Sequence, residues 1–217
     1  MNPDEILNNP EKLKILVRII AHLMGDGCVS KKYFAYFNKN ETLLNNFKKD
    51  ITDAFGNLHF ITGKVQSGTS LIQIKHKETW CFLTSLVKDY RSFSLRFPGF
   101  INTKELQKNF LSALFDDEGC VALRTFKKTG EIKRNITFTS KSKLFAEEIK
   151  HVLETSFDIQ SNKINEYTKI WGDKRFVIYT LSITGKENFV KFRDEINFSH
   201  PLKKEKLDAM INSYIRK

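Results

Sequence analysis

Cysteine, proline and glycine are all scarce in this chain: three, four and ten among 217 residues. Cys28, Cys81 and Cys120 are odd in number and have neither CxxC nor Cys/His metal spacing. That indicates neither a disulfide framework nor a zinc site, and leaves small buried residues in a reducing compartment as the plain expectation. Long apolar runs are missing too. Every hydrophobic stretch is broken by charge within about a dozen residues, short of the roughly 20 needed to span a bilayer. No basic region precedes an apolar one in the opening MNPDEILNNPEK, so no export signal is read there. A soluble protein of the cytoplasm or an organelle interior is expected, with no membrane partner. Acidic residues are in the minority, 25 against 36 Lys and Arg, leaving a formal charge of +11. That balance makes a polyanion the expected partner, nucleic acid ahead of a lipid surface. The 41% apolar and 12% aromatic content excludes a disordered chain and suffices for one large or two small packed domains.

What is present is written twice. MGDGCVS at 24–30 and DDEGCVA at 116–122 each place an acid, a glycine, a cysteine and a small apolar residue after an apolar helical pattern. The two acids, Asp26 and Glu118, lie 92 residues apart. Downstream, FNKNETLL (37–44) parallels TSKSKLFA (139–146), and IQIKHKETWCF (72–82) parallels LSITGKENFVKF (181–192). Order is kept while loop lengths differ, which marks a diverged duplication rather than a solenoid. Two similar halves in one chain imply a pseudo-twofold axis.

In the first half, Leu13, Leu16, Val17, Ile20, Leu23 and Met24 recur at helical spacing and stop at Asp26-Gly27. A hairpin turning near Lys31-Lys32 follows, then a helix to Gly56, a hairpin around Ser67-Gly68 and a helix over ETWCFLTSLVKDY. The second half repeats the order: a helix over Leu106 to Glu118, a hairpin through Thr129-Gly130, a helix over Lys143 to Phe157, a hairpin at Gly172-Asp173 and a helix from Lys186. Each half reads αββαββα. FSLRFPGFINTK, with its Pro98-Gly99, is the connector. The domains are therefore read as 1–95, a connector at 96–107, and 108–217.

The two acids sit awkwardly. A helix C-terminus carries partial negative charge, so a carboxylate there is disfavoured by about 0.3–1 kcal/mol when exposed. Asp26 and Glu118 each occupy such a place beside a glycine, and Asp116 and Asp117 crowd the second. A hard divalent cation would convert this liability into a site. Small residues at one-turn spacing, Ala21 and Gly25 in one helix and Ser112 or Ala113 in the other, would let the two helices approach. Two ions some 3.5–4 Å apart are the usual arrangement for phosphodiester hydrolysis.

IIAHLMGDG (19–27) and LSALFDDEG (111–119) resemble the two copies of the LAGLIDADG signature of homing endonucleases, in the single-chain, two-repeat branch of archaeal introns and inteins. RFPGFI (96–101) and INFSHPLKKEKL (196–207) resemble further segments of that branch. An intein itself is not expected, since the sequence opens without a nucleophile and ends in IRK. The resemblance implies an α+β duplication whose two antiparallel four-stranded sheets form a saddle over duplex DNA. It implies catalysis by Asp26 and Glu118 with Mg²⁺, for which Mn²⁺ substitutes. The preceding Gly25 and Asp117 are counted with the metal set. Asn38-Lys39 and Ser140-Lys141 fall on the polar-Lys positions that order water or stabilise charge at the scissile phosphates. Position six of the first signature holds Met24, and position seven of the second holds Asp117 where a small residue is expected.

Gln73, Lys75 and Lys77 in the first half, with Arg124, Lys133, Asn135 and Thr137 in the second, are read as the polar sheet face that contacts base edges. Lys-rich rims would add salt-dependent phosphate contacts. Arg96, Lys203 and Lys204 are weaker candidates for the backbone. His22 and His76 receive no role, and Trp80 and Trp171 are read as core and hairpin packing. The expected activity is that of a monomeric, site-specific double-strand DNA endonuclease. Its rivals are a maturase binding intron RNA and a non-catalytic DNA-binding regulator on the same scaffold.

Overall fold

The computed structural model describes residues 3–214, apart from the side chain of Trp171, whose expected packing lies outside the described residues. The elements run α1 (Pro3–Asn8), α2 (Pro10–Met24), β1 (Gly27–Val29), β2 (Phe34–Asn38), α3 (Glu41–Phe55), β3 (Phe60–Lys64), β4 (Ser70–Ile74) and α4 (Lys77–Leu86). They continue as α5 (Lys104–Glu118), β5 (Gly119–Thr125), β6 (Ile132–Ser140), α6 (Lys143–Phe157), β7 (Asn165–Trp171), β8 (Lys174–Ile183), α7 (Lys186–Glu195) and α8 (Pro201–Asn212). Two antiparallel four-stranded sheets result, ordered β1-β2-β4-β3 and β5-β6-β8-β7. The α+β duplication read from the sequence is therefore present, with α1 and α8 added outside the repeated αββαββα unit.

Local chemistry explains the boundaries. Asn9 caps α2, its side chain accepting from the amides of Glu11 and Lys12, and Pro10 occupies the first turn, where the missing N–H costs nothing. The α3 and α6 helices are capped by Asn40 and Ser142, which accept from Leu43 and Phe145. The α4 helix stops at Leu86, short of the expected Tyr90, because Val87 is extended and the Tyr90 hydroxyl folds back to donate to the Leu83 carbonyl at 3.2 Å.

The chain divides into two compact units. Unit 1 comprises Met1–Arg91 with Pro98–Asp117, and unit 2 comprises Ser92–Phe97 with Glu118–Lys217. In unit 1 the core is built from Leu16, Ile20 and Leu23 of α2, Phe34 and Tyr36 of β2, Phe47 and Ile51 of α3, Ile72 and Ile74 of β4, and Phe110 and Leu114 of α5, all essentially buried. In unit 2, Ile136, Phe138, Leu181 and Ile183 on the sheet meet Phe145, Ile149 and Leu153 of α6, with Phe189 and Phe192 of α7 and Leu207 and Met210 of α8. Each aromatic or aliphatic side chain so buried contributes about 1.5–3 kcal/mol.

The cysteines correct one expectation. Cys81 and Cys120 are exposed and Cys28 is half-buried. Cys28 and Cys120 lie on the sheet faces turned away from the helices, in register with Ala35 and Thr137. No described helix is long and apolar enough to cross a membrane.

Candidate metal and nucleic-acid site

The α2 helix ends at Met24, with the Gly25 amide bonded to the Ala21 carbonyl at 2.9 Å. Asp26 follows in a turn, exposed, before β1. Gly27 allows that turn to pass close to the helix, since a Cβ there would lie 2.3 Å from the Leu23 Cα. The β2 strand brings Asn38 to the same place: its Nδ2 donates to Asp26 Oδ2 at 3.3 Å. Asn38 also accepts from the Asn40 amide at 2.9 Å, so the residue that touches Asp26 forms the turn into α3 as well.

Beside Asp26 lies a buried polar cluster that the sequence did not announce. The Asp117 side chain is fully buried, with His22 Nδ1 at 2.9 Å from its Oδ2. The Tyr36 hydroxyl donates to Asp117 Oδ1 at 2.6 Å, and Asn38 Nδ2 reaches both that oxygen at 3.4 Å and Tyr36 Oη at 3.0 Å. The His22, Tyr36 and Phe47 rings stack around it, with centroids 4.8 Å apart for His22–Tyr36 and for Tyr36–Phe47. Burial by itself drives the His22 imidazole toward neutrality, but the charge and hydrogen bond of Asp117, followed by the charges of Asp116 and Asp50, outweigh it and the net displacement is upward. Burial, and then the Asp117 charge, push the Tyr36 phenol far above its ordinary range, so it stays a donor. The α2 and α5 helices are tied further by Arg18, which donates to Asp50 and, at 3.0 Å, to Asn109 Oδ1.

His22 and Tyr36 thus enclose Asp117, an arrangement that the sequence reading did not find. The signal was there in complementary form: a histidine on the apolar stripe of one signature helix, and a carboxylate at the small-residue position of the other.

In unit 2, Glu118 is the last residue of α5 and Gly119 opens β5 directly. Ser140 closes β6 and is buried; its Oγ accepts from the Ser142 amide at 3.0 Å. Asn38 and Ser140 therefore share one structural job, a side chain-to-backbone turn into the next helix cap. Lys39 and Lys141 are exposed, with Lys141 Nζ 4.8 Å from the Phe176 ring centre. Arg96 donates to Glu148 Oε1 at 2.7 Å. Lys203 and Lys204 lie in the first turn of α8.

On the sheets the expected readers divide. Gln73 lies on β4, but that strand ends at Ile74, so Lys75 lies just past it and Lys77 begins α4. The cause is His76, whose ring nitrogen caps α4 by accepting from the Thr79 amide. On β5 and β6, Arg124 pairs with Lys133, Ala122 with Asn135 and Cys120 with Thr137. These alternate with the buried Val121, Ile136 and Phe138, which places Arg124, Lys133, Asn135 and Thr137 together on the face away from the core.

Oxygen donors of this kind suit a hard divalent ion. Among the described residues no group of three or more His, Cys, Asp or Glu is placed to hold one, so the protein side chains would supply only part of a coordination shell.

Residues 105–197 match the LAGLIDADG-like domain family. The homing endonuclease I-DmoI, in a structure of its mesophilic variants, superposes with a TM-score of 0.59 over 91% of this chain and 98% of its own, at 14% identity. This chain has the two-repeat LAGLIDADG fold. Full-length DUF199/WhiA from Thermatoga maritima shares it, with a TM-score of 0.60 over 98% of this chain and 65% of that one, at 12% identity. A probable translation initiation factor IF-2 from Methanocaldococcus jannaschii is 28% identical over 220 residues, and the chain spans 17% of that relative's length. I-DmoI has been crystallised in complex with DNA and with Mn or Ca. Asp117 and Glu118 lie within the matched stretch 105–197 and Asp26 outside it.

Proposed function

We propose that this LAGLIDADG protein is a site-specific, monomeric double-strand DNA endonuclease that uses Mg²⁺ or Mn²⁺, with Asp26 and Glu118 as the metal-binding carboxylates. The observation that carries the reading is Asp26 at the exit of its signature helix, exposed and with one oxygen held by Asn38. An acid kept where the helix dipole disfavours it is explained by a cation. The Gly25 and Asp117 backbone positions stand beside these acids. Bound Mg²⁺ would supply charge stabilisation at a scissile phosphate and a water of lowered pKa.

The remaining work falls to the chain. Asn38 orients the Asp26 carboxylate. Lys39 and Lys141 bring positive charge toward phosphates, and Ser140 sets the direction in which Lys141 leaves β6. Gln73, Lys75, Arg124, Lys133, Asn135 and Thr137 contact the major groove, where Arg favours guanine and Asn or Gln adenine. Lys77, in the first turn of α4, is assigned to phosphate rather than base.

The test is incubation of the protein with DNA spanning its host gene's intron-less junction, with Mg²⁺ and with a chelator. Discrete double-strand cuts that disappear in Asp26→Asn and in Glu118→Gln are expected. Tight duplex binding with no cleavage under either metal would leave a DNA-binding protein on this fold; binding of intron RNA with accelerated splicing would make it a maturase.

A further inference from the structure

The two LAGLIDADG sheets present different chemistry on the faces turned away from their helices. In unit 1, Phe34, Tyr36, Ile72 and Ile74 are buried toward α2 and α3. Strand alternation then places Cys28, Ala35, Phe37, Leu71 and Ile61 on the opposite face, with Gln73 as its one amide. Phe37, Leu71 and Gln73 are half-buried and Ile61 is 36% exposed, while Ala35 is wholly buried. In unit 2 the β5–β6 part of the corresponding face carries Arg124, Lys133, Asn135, Thr137 and Thr139, with Phe176 and Ile178 of β8 and Tyr167 of β7 at its far end. The reach differs as well. The β2 and β4 strands have five residues each and β6 and β8 nine and ten. At about 3.3 Å per residue these are roughly half a duplex turn and one whole turn.

An apolar sheet face is ordinarily covered by protein, but the charge around this one argues otherwise. Residues 27–40 and 57–77 contain no Asp or Glu, and Lys31, Lys32, Lys64 and Lys75 border the strands, all exposed. An apolar patch bordered by these lysines, with Asp26 as the acid at its β1 end, fits a groove walled by phosphates. The apolar feature that a major groove offers is the 5-methyl of thymine, the group that alanine and phenylalanine side chains contact.

We propose that unit 1 reads its stretch of the target by apolar contact with thymine methyl groups, with Gln73 making its hydrogen-bonded base contact, while the β5–β6 part of unit 2 reads by hydrogen bonding. The target is then asymmetric: one stretch thymine-rich and tolerant of other substitutions, the other strict. This rests on the DNA-binding part of the proposed function.

The test uses the full chain to select bound sequences from a random duplex library, then replaces thymine by deoxyuridine block by block in the selected duplex. Gln73→Ala and Arg124→Ala identify the stretch each unit contacts. In the Gln73 stretch, each contacted thymine lost is expected to weaken binding about three- to fivefold, as for one buried methyl. In the Arg124 stretch, deoxyuridine is expected to have little effect and base changes a large one. Phe37→Ser with Leu71→Ser, both on the open face, should abolish the deoxyuridine sensitivity while leaving the melting temperature within a few degrees. Sequence-specific binding indifferent to deoxyuridine throughout would overturn the methyl reading alone. A dimer dispersed by the same double substitution would assign the face to a second copy and overturn it too. No binding to any duplex would instead remove the proposed function beneath it.

Discussion

Gly25 and Asp117 face each other so closely that a Cβ on residue 25 would lie 2.8 Å from the Asp117 Cβ and 2.9 Å from its Oδ2. The glycine of one signature and the carboxylate that replaces the small residue of the other are thus a matched pair, space supplied on one helix for bulk on its neighbour. Gly25→Ala should destabilise by about 1–3 kcal/mol through overpacking, read from urea denaturation. In an Asp117→Gly background the same substitution should cost much less. Additive costs in the double-mutant cycle would show that the pair does not interact.

Tyr36→Phe removes one hydroxyl and little volume. The Asp117 carboxylate loses its 2.6 Å donor while staying buried, so a cost of about 1.5–3 kcal/mol is expected. A loss under half a kilocalorie per mole in equilibrium unfolding would mean that Asn38 alone satisfies that oxygen.

Arg134 ties down the end of α8. Its Nε donates to Ser213 Oγ at 2.7 Å and its Nη2 to the Ser213 carbonyl at 3.1 Å, while its guanidinium carbon lies 4.3 Å from the Tyr214 ring centre. Lysine cannot reproduce a planar fork. Arg134→Lys should therefore raise amide exchange in the last turn of α8 several-fold and leave α6 unchanged. Equal exchange in both helices, or in neither, would refute the pinning role.

Asp158 adopts a left-handed conformation, φ 51°, at the end of α6, and Lys191 Nζ donates to its carboxylate at 2.7 Å. The hydrogen bond, and then the Lys191 charge, hold its carboxyl below the ordinary range. Because the folded-state value is depressed, the stabilisation is present above about pH 4 and is lost as pH falls through the folded value. Lys191→Ala should move the Asp158 titration, followed by NMR, upward toward a free carboxylate, and should flatten the stability profile across that acidic window. An unmoved titration would deny the pair any influence.

The duplication was legible because it is local. Helical stops at Asp26-Gly27 and Glu118-Gly119 and hairpin turns at Ser67-Gly68 and Thr129-Gly130 all follow from patterns within about ten residues, and α6 runs over the residues its periodicity predicted. Where the sequence misled, neighbouring elements competed for one segment. The β4 alternation would carry Lys75 and Lys77 along the sheet, but His76 caps a helix and turns the chain away. Asn38 and Ser140 stood out for their repeated place after the second strand, and each proves to bond the amide two residues on, a requirement of the turn whatever else they do.

Taken alone, the amino-acid sequence determined that this protein would be basic, duplicated and α+β, with a carboxylate closing each signature helix, because composition and short-range periodicity settle those properties. Only the tertiary structure decided that His22 and Tyr36, 95 and 81 residues from Asp117, would enclose it, and that Lys75 and Lys77 would leave the sheet at a helix cap. Hydrogen-bond partners so remote are chosen by packing, since a carboxylate forced into a core must find whichever donors the surrounding helices and strands bring within three ångströms.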